Sequence, residues 1–394
     1  MFDVLAWILL GILAGCITGL IPGIHPNLLS TILLGLSISH GFDPLLSSVF
    51  LICAGITNSF VSFIPSILFG APESTEALSV LPGHRMLLRG YGYEAIRLTV
   101  LGGFYAGLLS LAIFPFYFVF SVVYPSIKTF IPFLLIFVLV WIIITEKSLK
   151  NMFISLVIII FTGIMGIKLI DYDVFFPVFT GFFGLPLLFL SWKKQTTLPE
   201  IITFEQEKFR EWKGVKAGLL SGIISGFLPG VGASQLATIA QELLGEKNER
   251  NFLVAIGAIT TVDAMLSFFA IYFISNPRSG VAQAIFKLLG NFSEEILLFF
   301  IFVSLFAISA GTILTLVFAR KLIFLLRNLN YAKFSLFMFC FLLFLVFLFS
   351  GLGGLLLCLS CFFLGLIVNI LGVKRTSLMG FLIIPTILYY LSLL

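Results

Sequence analysis

Long apolar runs broken by short polar punctuation fill most of the chain. Residues 130–144 and 334–349 run without a charged side chain, and neither alternates apolar with polar positions as a barrel strand does. A helix needs about 20 apolar residues to cross a bilayer. The pattern therefore predicts an all-α polytopic membrane protein. The most polar stretch lies mid-chain, from Trp192 to Lys216, where Lys193, Lys194, Lys208, Arg210 and Lys213 mix with Glu200, Glu205, Glu207 and Glu211. It reads as a solvated linker, with an amphipathic helix expected over 205–213. Its basic residues, like those of the loops at 85–97 and 320–333, mark a cytoplasmic side. Arg85, Arg89 and Arg97 are expected on that solvated face.

Composition agrees. The 394 residues are 60% hydrophobic and 10% charged, whereas a soluble domain carries about 25% charged residues. The 47 phenylalanines read as lipid-facing or packing bulk. Net charge +5 needs no nucleic-acid partner, and no basic tract suggests one. The five cysteines sit in apolar stretches. Cys358 and Cys361 form a C-x-x-C without the polar partners that redox or zinc chemistry would want. Residues 4–21 are apolar, but Asp3 stands where a signal peptide is basic, so this run is expected to be the first membrane segment.

The pattern also repeats. Three glycines at four-residue spacing run into Pro-Gly twice: Gly11, Gly15, Gly19, Pro22 and Gly23, then Gly218, Gly222, Gly226, Pro229 and Gly230. Each pair is 207 positions apart. A second match, at 205, pairs Asn58 with Asp263 and Pro72 with Pro277, and a third, at 199, pairs residues 180–188 with 379–387. The chain thus divides into a first transmembrane repeat (1–195), a polar linker (196–212) and a second repeat (213–394). Each repeat holds roughly five to seven membrane segments. An odd number would make the repeats inverted, the arrangement common among secondary transporters and the one expected here.

Pro-Gly removes a backbone donor and admits unusual conformations, so it breaks a membrane helix, and such breaks survive only when buried in protein or lining a wet cavity. The breaks are either re-entrant hairpins or interrupted crossings. The helices that follow present N-termini suited to carboxylate or phosphate, with Asn27 and Ser234 as candidate caps. The candidate substrate site is therefore Pro22, Gly23, Ile24, His25, Pro26 and Asn27 with Pro229, Gly230, Val231, Gly232, Ala233 and Ser234. A second pair of breaks, at 66–74 and 275–279, adds Glu73, Ser74 and Arg278. His25 either titrates or donates to an anion, or is a satisfied histidine at a membrane boundary. The glycine stripes themselves read as helix-packing surfaces.

Ionisable groups inside membrane segments are costly and usually functional. Asp263 is the leading candidate to hold a coupling cation, sodium or a proton, with Asn58, Thr260 and Thr261 supplying further oxygens. Alternatively it pairs with Arg278 or caps a helix. No cofactor or structural metal is expected. The sequence contains no H-E-x-x-H and no G-x-S-x-G, so an enzyme is disfavoured.

At these paired motifs the chain resembles the TctA family, the large membrane subunit of tripartite tricarboxylate transporters. The likeness rests on residues 19–23 and 226–233, and on 70–74 followed by Leu81-Pro82-Gly83-His84-Arg85-Met86 and Gly90. It implies ion-coupled uptake of carboxylates into the cell, with a smaller membrane subunit and an extracytoplasmic binding protein as partners. The shorter chain, His25 at the first tip and Arg278 mark a divergent branch. A fainter likeness joins Pro229–Ser234 to the Pro-Gly-Val-Ser-Gly-Gly signature of polyprenyl-phosphate translocases and implies a lipid phosphate as the alternative substrate. The expected setting is the cell membrane, as a multi-pass protein, alone or as a homodimer.

Overall fold

The computed structural model describes residues 2–21, 26–69, 80–113, 129–169, 174–194, 208–225, 236, 248–274, 277, 279–326 and 330–392. Helices account for nearly all of them, and no strand occurs among the described residues. In chain order the helices are α1 (Phe2–Leu20), α2 (Pro26–His40), α3 (Pro44–Val61), α4 (Phe63–Phe69), α5 (Val80–Leu88) and α6 (Gly92–Ser110). After these come α7 (Ile131–Ile144), α8 (Leu149–Leu169), α9 (Phe175–Lys193) and α10 (Trp212–Ser225). The last five are α11 (Glu249–Ile274), α12 (Gly280–Leu289), α13 (Glu294–Leu326), α14 (Tyr331–Leu371) and α15 (Gly380–Leu391). Among the described residues, seven helical segments are long and apolar enough to cross a membrane. The chain is a polytopic membrane protein.

The glycine stripes seat neighbouring helices. A methyl group added at Gly11 would meet Phe50 O at 2.6 Å and Cys53 Cβ at 2.8 Å; at Gly15 it would meet Ala54 O at 2.6 Å and Thr57 Cβ at 2.8 Å. Such side-chain-free faces let two backbones approach closely where lipid offers no hydrophobic drive for association. The contacts climb both helices together, so α1 and α3 pack directly and run parallel, with α2 connecting them in the chain. Trp7, early in α1, packs edge-on to Phe42 and Phe50 beside the start of α3. The same packing recurs in α10 and α11: Gly218 abuts Ala258 and Ala255 O, and Gly222 abuts Val262. Each contact there lies 207 positions on in the first helix and 205 in the second.

A third recurrence follows the offset of 199. Gly181 in α9 lies on Cys358 O and Cys361 of α14, while Gly380 in α15 lies on Ile159 O and Thr162 of α8. Gly166 abuts Phe381 O and Pro385; Gly365 abuts Phe182 O and Pro186. The C-x-x-C is thus a packing surface, with both thiols free and buried. These contacts cross between the two halves of the chain, as do those of α6 with α11, where Gly257 meets Thr99 O and Gly102 meets Val254 O. The halves interlock.

α14 is not one rod of 41 residues. Gly351 takes φ 64° and ψ −167°, outside the helical region. The rings of Phe339 and Phe362 lie 5.5 Å apart, whereas a straight helix would hold them about 34 Å apart at about 1.5 Å per residue. The chain reverses at Gly351 into a helical hairpin whose arms pack through Met338, Leu342, Val346, Cys358 and Phe362.

Two local expectations are corrected. Residues 208–211 are not helical, and the helix starts at Trp212. The Glu211 carboxylate there is committed to the Arg210 N–H at 2.9 Å and Arg250 Nε at 2.6 Å, and Phe209 and Trp212 both pack on Tyr105. Docking of this stretch outweighs local helix propensity. At the other motif, α2 begins at Pro26, so Asn27 lies within its first turn instead of capping it. Proline suits the first helical position because its missing N–H would be unpaired there anyway.

Candidate functional site

Each parallel pair carries a polar seam whose hydroxyl residue precedes the Pro-Gly motif in sequence. In the first, Asn58 on α3 is 1% exposed and its Nδ2 donates to Thr18 Oγ1 at 3.1 Å. The Thr18 hydroxyl donates in turn to Ala14 O at 2.9 Å. In the second, Ser225 Oγ donates to Asp263 Oδ1 at 2.8 Å, joining α10 to α11. Thr18 and Ser225 each stand four residues before the proline of their motif. The two seams are the same construction, with an amide in one and a carboxylate in the other. Sequence reasoning missed Thr18 and Ser225. A hydroxyl residue before each Pro-Gly, in both copies, was the signal.

Thr260 and Thr261 part company. Thr260, one turn before Asp263 on the same face, donates to Ile256 O at 2.9 Å. Thr261 is buried on the α6 side, where its Oγ1 would lie 2.5 Å from a methyl group at Gly103. The α6 contact and the Ser225 contact occupy different sides of α11, so the structure does not bring the Thr261 hydroxyl to Asp263. The tips Pro22–His25 and Pro229–Ser234, and Glu73, Ser74 and Arg278, lie outside the described residues, as do the side chains of Pro26 and Asn27. Among the described residues no cluster of three or more His, Cys, Asp or Glu side chains could hold a metal.

A charged network closes one end of the helix bundle. Glu94 on α6 is buried and accepts from Arg97 at 3.1 Å and Arg250 at 2.8 Å; Arg250 also holds Glu211. Burial works to raise the Glu211 pKa, but hydrogen bonds from Arg250 and the Arg210 backbone outweigh it and lower it. Arg97 is thus packed into an ion-pair network and not on a solvated face, because Glu94 behind it needs a counter-charge once buried. Arg85 and Arg89 are exposed as expected, and both reach Glu249 of α11, at 3.1 and 3.0 Å. Exposed pairs contribute under about 1 kcal/mol. Glu249→Gln should therefore shift thermal unfolding only slightly, and the shift should vanish at about 1 M salt. A large, salt-insensitive loss would place Glu249 among the groups that hold the fold.

Seams of small and hydroxyl residues leading into paired Pro-Gly breaks set the frame for comparison with known proteins. The tripartite tricarboxylate transporter TctA family matches residues 5–380. The chain belongs to this family. Its systems are tripartite transporters, so this family member is a membrane component of the transport class and lies in the cell membrane as a multi-pass protein. It is also 33% identical, over 356 residues, to an uncharacterized protein of Methanocaldococcus jannaschii; the match covers 87% of this chain and 88% of that one. No solved structure matches this TctA-family chain.

Proposed function

We propose that this chain is the carrier subunit for an organic anion, a di- or tricarboxylate, moved by alternating access and driven by sodium or protons. What supports the reading best is the mirrored seam: Thr18–Asn58 and Ser225–Asp263 accompany two Pro-Gly motifs of identical sequence spacing. Two repeats of opposite orientation, each with a broken helix, would then face one another near the bilayer midplane. The anion sits at the helix ends around Pro22–Asn27 and Pro229–Ser234, with Glu73, Ser74 and Arg278 from the second pair of breaks. The cation sits at Asp263 and Thr260, with Asn58 as the neutral counterpart. The family name makes the system tripartite, and the reading gives its other two parts as a smaller membrane subunit and an extracytoplasmic binding protein.

Binding to the folded state raises its melting temperature. The purified protein should unfold about 3 °C or more higher with a di- or tricarboxylate at concentrations near 100 times Kd, and higher again with sodium or at low pH. Stabilisation by isoprenoid phosphates alone would overturn the carboxylate reading in favour of a lipid-phosphate translocase.

A further inference from the structure

A second polar cluster is buried where the two halves of the chain meet. The reversal at Gly351 brings Tyr331, the first residue of α14, to the same end of the hairpin as Asn369 and the 3₁₀ turn Arg375–Met379. Tyr331 donates to Leu68 O of α4 at 3.1 Å, and its hydroxyl lies 3.4 Å from His84 Nδ1. His84, 2% exposed, sits 3.4 Å from Ser191 Oγ of α9 through its Nε2. Burial drives the His84 pKa down to about 4; a hydrogen bond to the Ile67 backbone opposes this, and the positive charge of Arg375 adds to it. The imidazole is therefore neutral near pH 7 and supplies no counter-charge.

Arg375 itself is 9% exposed. Its Nε, at 2.7 Å, and Nη2 both donate to one oxygen, Asn369 Oδ1, which is uncharged. Among the described residues, Nη1 is buried and has no hydrogen-bond partner. Neighbouring Thr376 also buries an unpartnered hydroxyl. Among the described residues no carboxylate pairs with Arg375; the buried Glu146 instead accepts from the adjacent Lys374 N–H at 2.8 Å through Oε1, and its Oε2 has no partner. A buried guanidinium without a paired carboxylate is expensive, and buried donors are nearly always satisfied. Arginine's planar fork matches the paired oxygens of a carboxylate or phosphate, which would satisfy the free edge and supply the missing negative charge.

We propose that Arg375 is the seat of an oxyanion site, for a carboxylate or phosphate group, built by α5, the ends of the α14 hairpin and the Arg375–Met379 turn. The site rests on the buried chemistry of Arg375 and is independent of the anion site at the tips. Its occupant is either a soluble anion or the phosphate of a membrane lipid, and one experiment separates them.

The whole chain is reconstituted in neutral phosphatidylcholine nanodiscs, and thermal unfolding is followed in chloride alone, with citrate, and with inorganic phosphate. A further arm adds phosphatidic acid to the nanodiscs without soluble oxyanion. At least one oxyanion source raises the unfolding temperature of the wild type. In chloride alone, Arg375→Gln unfolds no lower than the wild type, because an unpaired buried charge has been removed; its response to phosphate or phosphatidic acid is gone, and its response to citrate shrinks to what the tips alone give. Arg375→Lys keeps the charge but loses the fork, and its Kd for the stabilising oxyanion rises about tenfold or more. If Arg375→Gln does not fold, the Arg375→Lys titration decides alone: an unchanged Kd overturns the site. No stabilisation of the wild type by any arm also overturns it. A carboxylate response that survives Arg375→Gln at full strength places the anion elsewhere; that sinks this site and leaves the proposed carrier function standing.

Discussion

Gly257→Val is expected to leave no folded protein to extract from the membrane. In an ordinary exposed helix, replacing glycine removes a flexible residue and gains roughly 0.5–1 kcal/mol for alanine. Here the sign reverses. A side chain at Gly257 would run into the carbonyl of Thr99 in α6, and backbone cannot step aside as a flexible side chain can. The facing glycine, Gly102, makes the same close approach to Val254 O. α6 and α11 come from different halves, so forcing them apart loosens the interlock and opens the Glu94–Arg250 pair at their ends. Overpacking of a tight core costs about 3 kcal/mol or more when the backbone must move. Gly35→Val is the control, because a methyl there meets nothing within 4 Å. The measurement is the yield and melting temperature of the monodisperse peak after solubilisation. Equal values for the two variants would mean the α6–α11 contact does not hold the fold.

Asp263→Asn should leave the fold intact and remove ion coupling. The molecule contains its own precedent: the equivalent seam is Asn58 with Thr18. An amide oxygen at 263 can still accept from Ser225, so the α10–α11 seam persists while the charge is lost. If the carboxylate holds the coupling cation, substrate uptake into proteoliposomes falls about tenfold or more, and the remainder no longer depends on sodium or the proton gradient. A loss of one charge-assisted contact, about 1.5–3 kcal/mol, is enough for that. Uptake of wild-type rate and ion dependence in a normally folded Asp263→Asn protein would remove Asp263 from the coupling role.

How much of this was legible beforehand differs from residue to residue. Hydropathy sets the class, because bilayer thickness demands long apolar helices. The four-residue glycine spacing sets the packing face, because positions i and i+4 share one side of a helix. The offset of 207 announced the recurrence that Gly15/Thr57 and Gly222/Val262 display in contact. Asn58 and Asp263 stood out because buried polar groups in apolar helices are costly. Thr18 and Ser225 did not, since a hydroxyl can bond its own helix backbone and says nothing by itself about a partner.

By itself, then, the amino-acid sequence determined that this is a multi-pass helical membrane protein with recurring Pro-Gly motifs and an acid, Asp263, within an apolar stretch. Those features are local: they depend on transfer free energy, helix periodicity and the chemistry of proline and glycine. Only the tertiary structure decided that α1 and α3 run parallel, that α14 reverses at Gly351, that Arg97 is packed against the buried Glu94, and that His84, Tyr331 and Arg375 share one interior. Those outcomes depend on which distant segments meet, and a side chain's burial and charge balance exist only once its neighbours arrive.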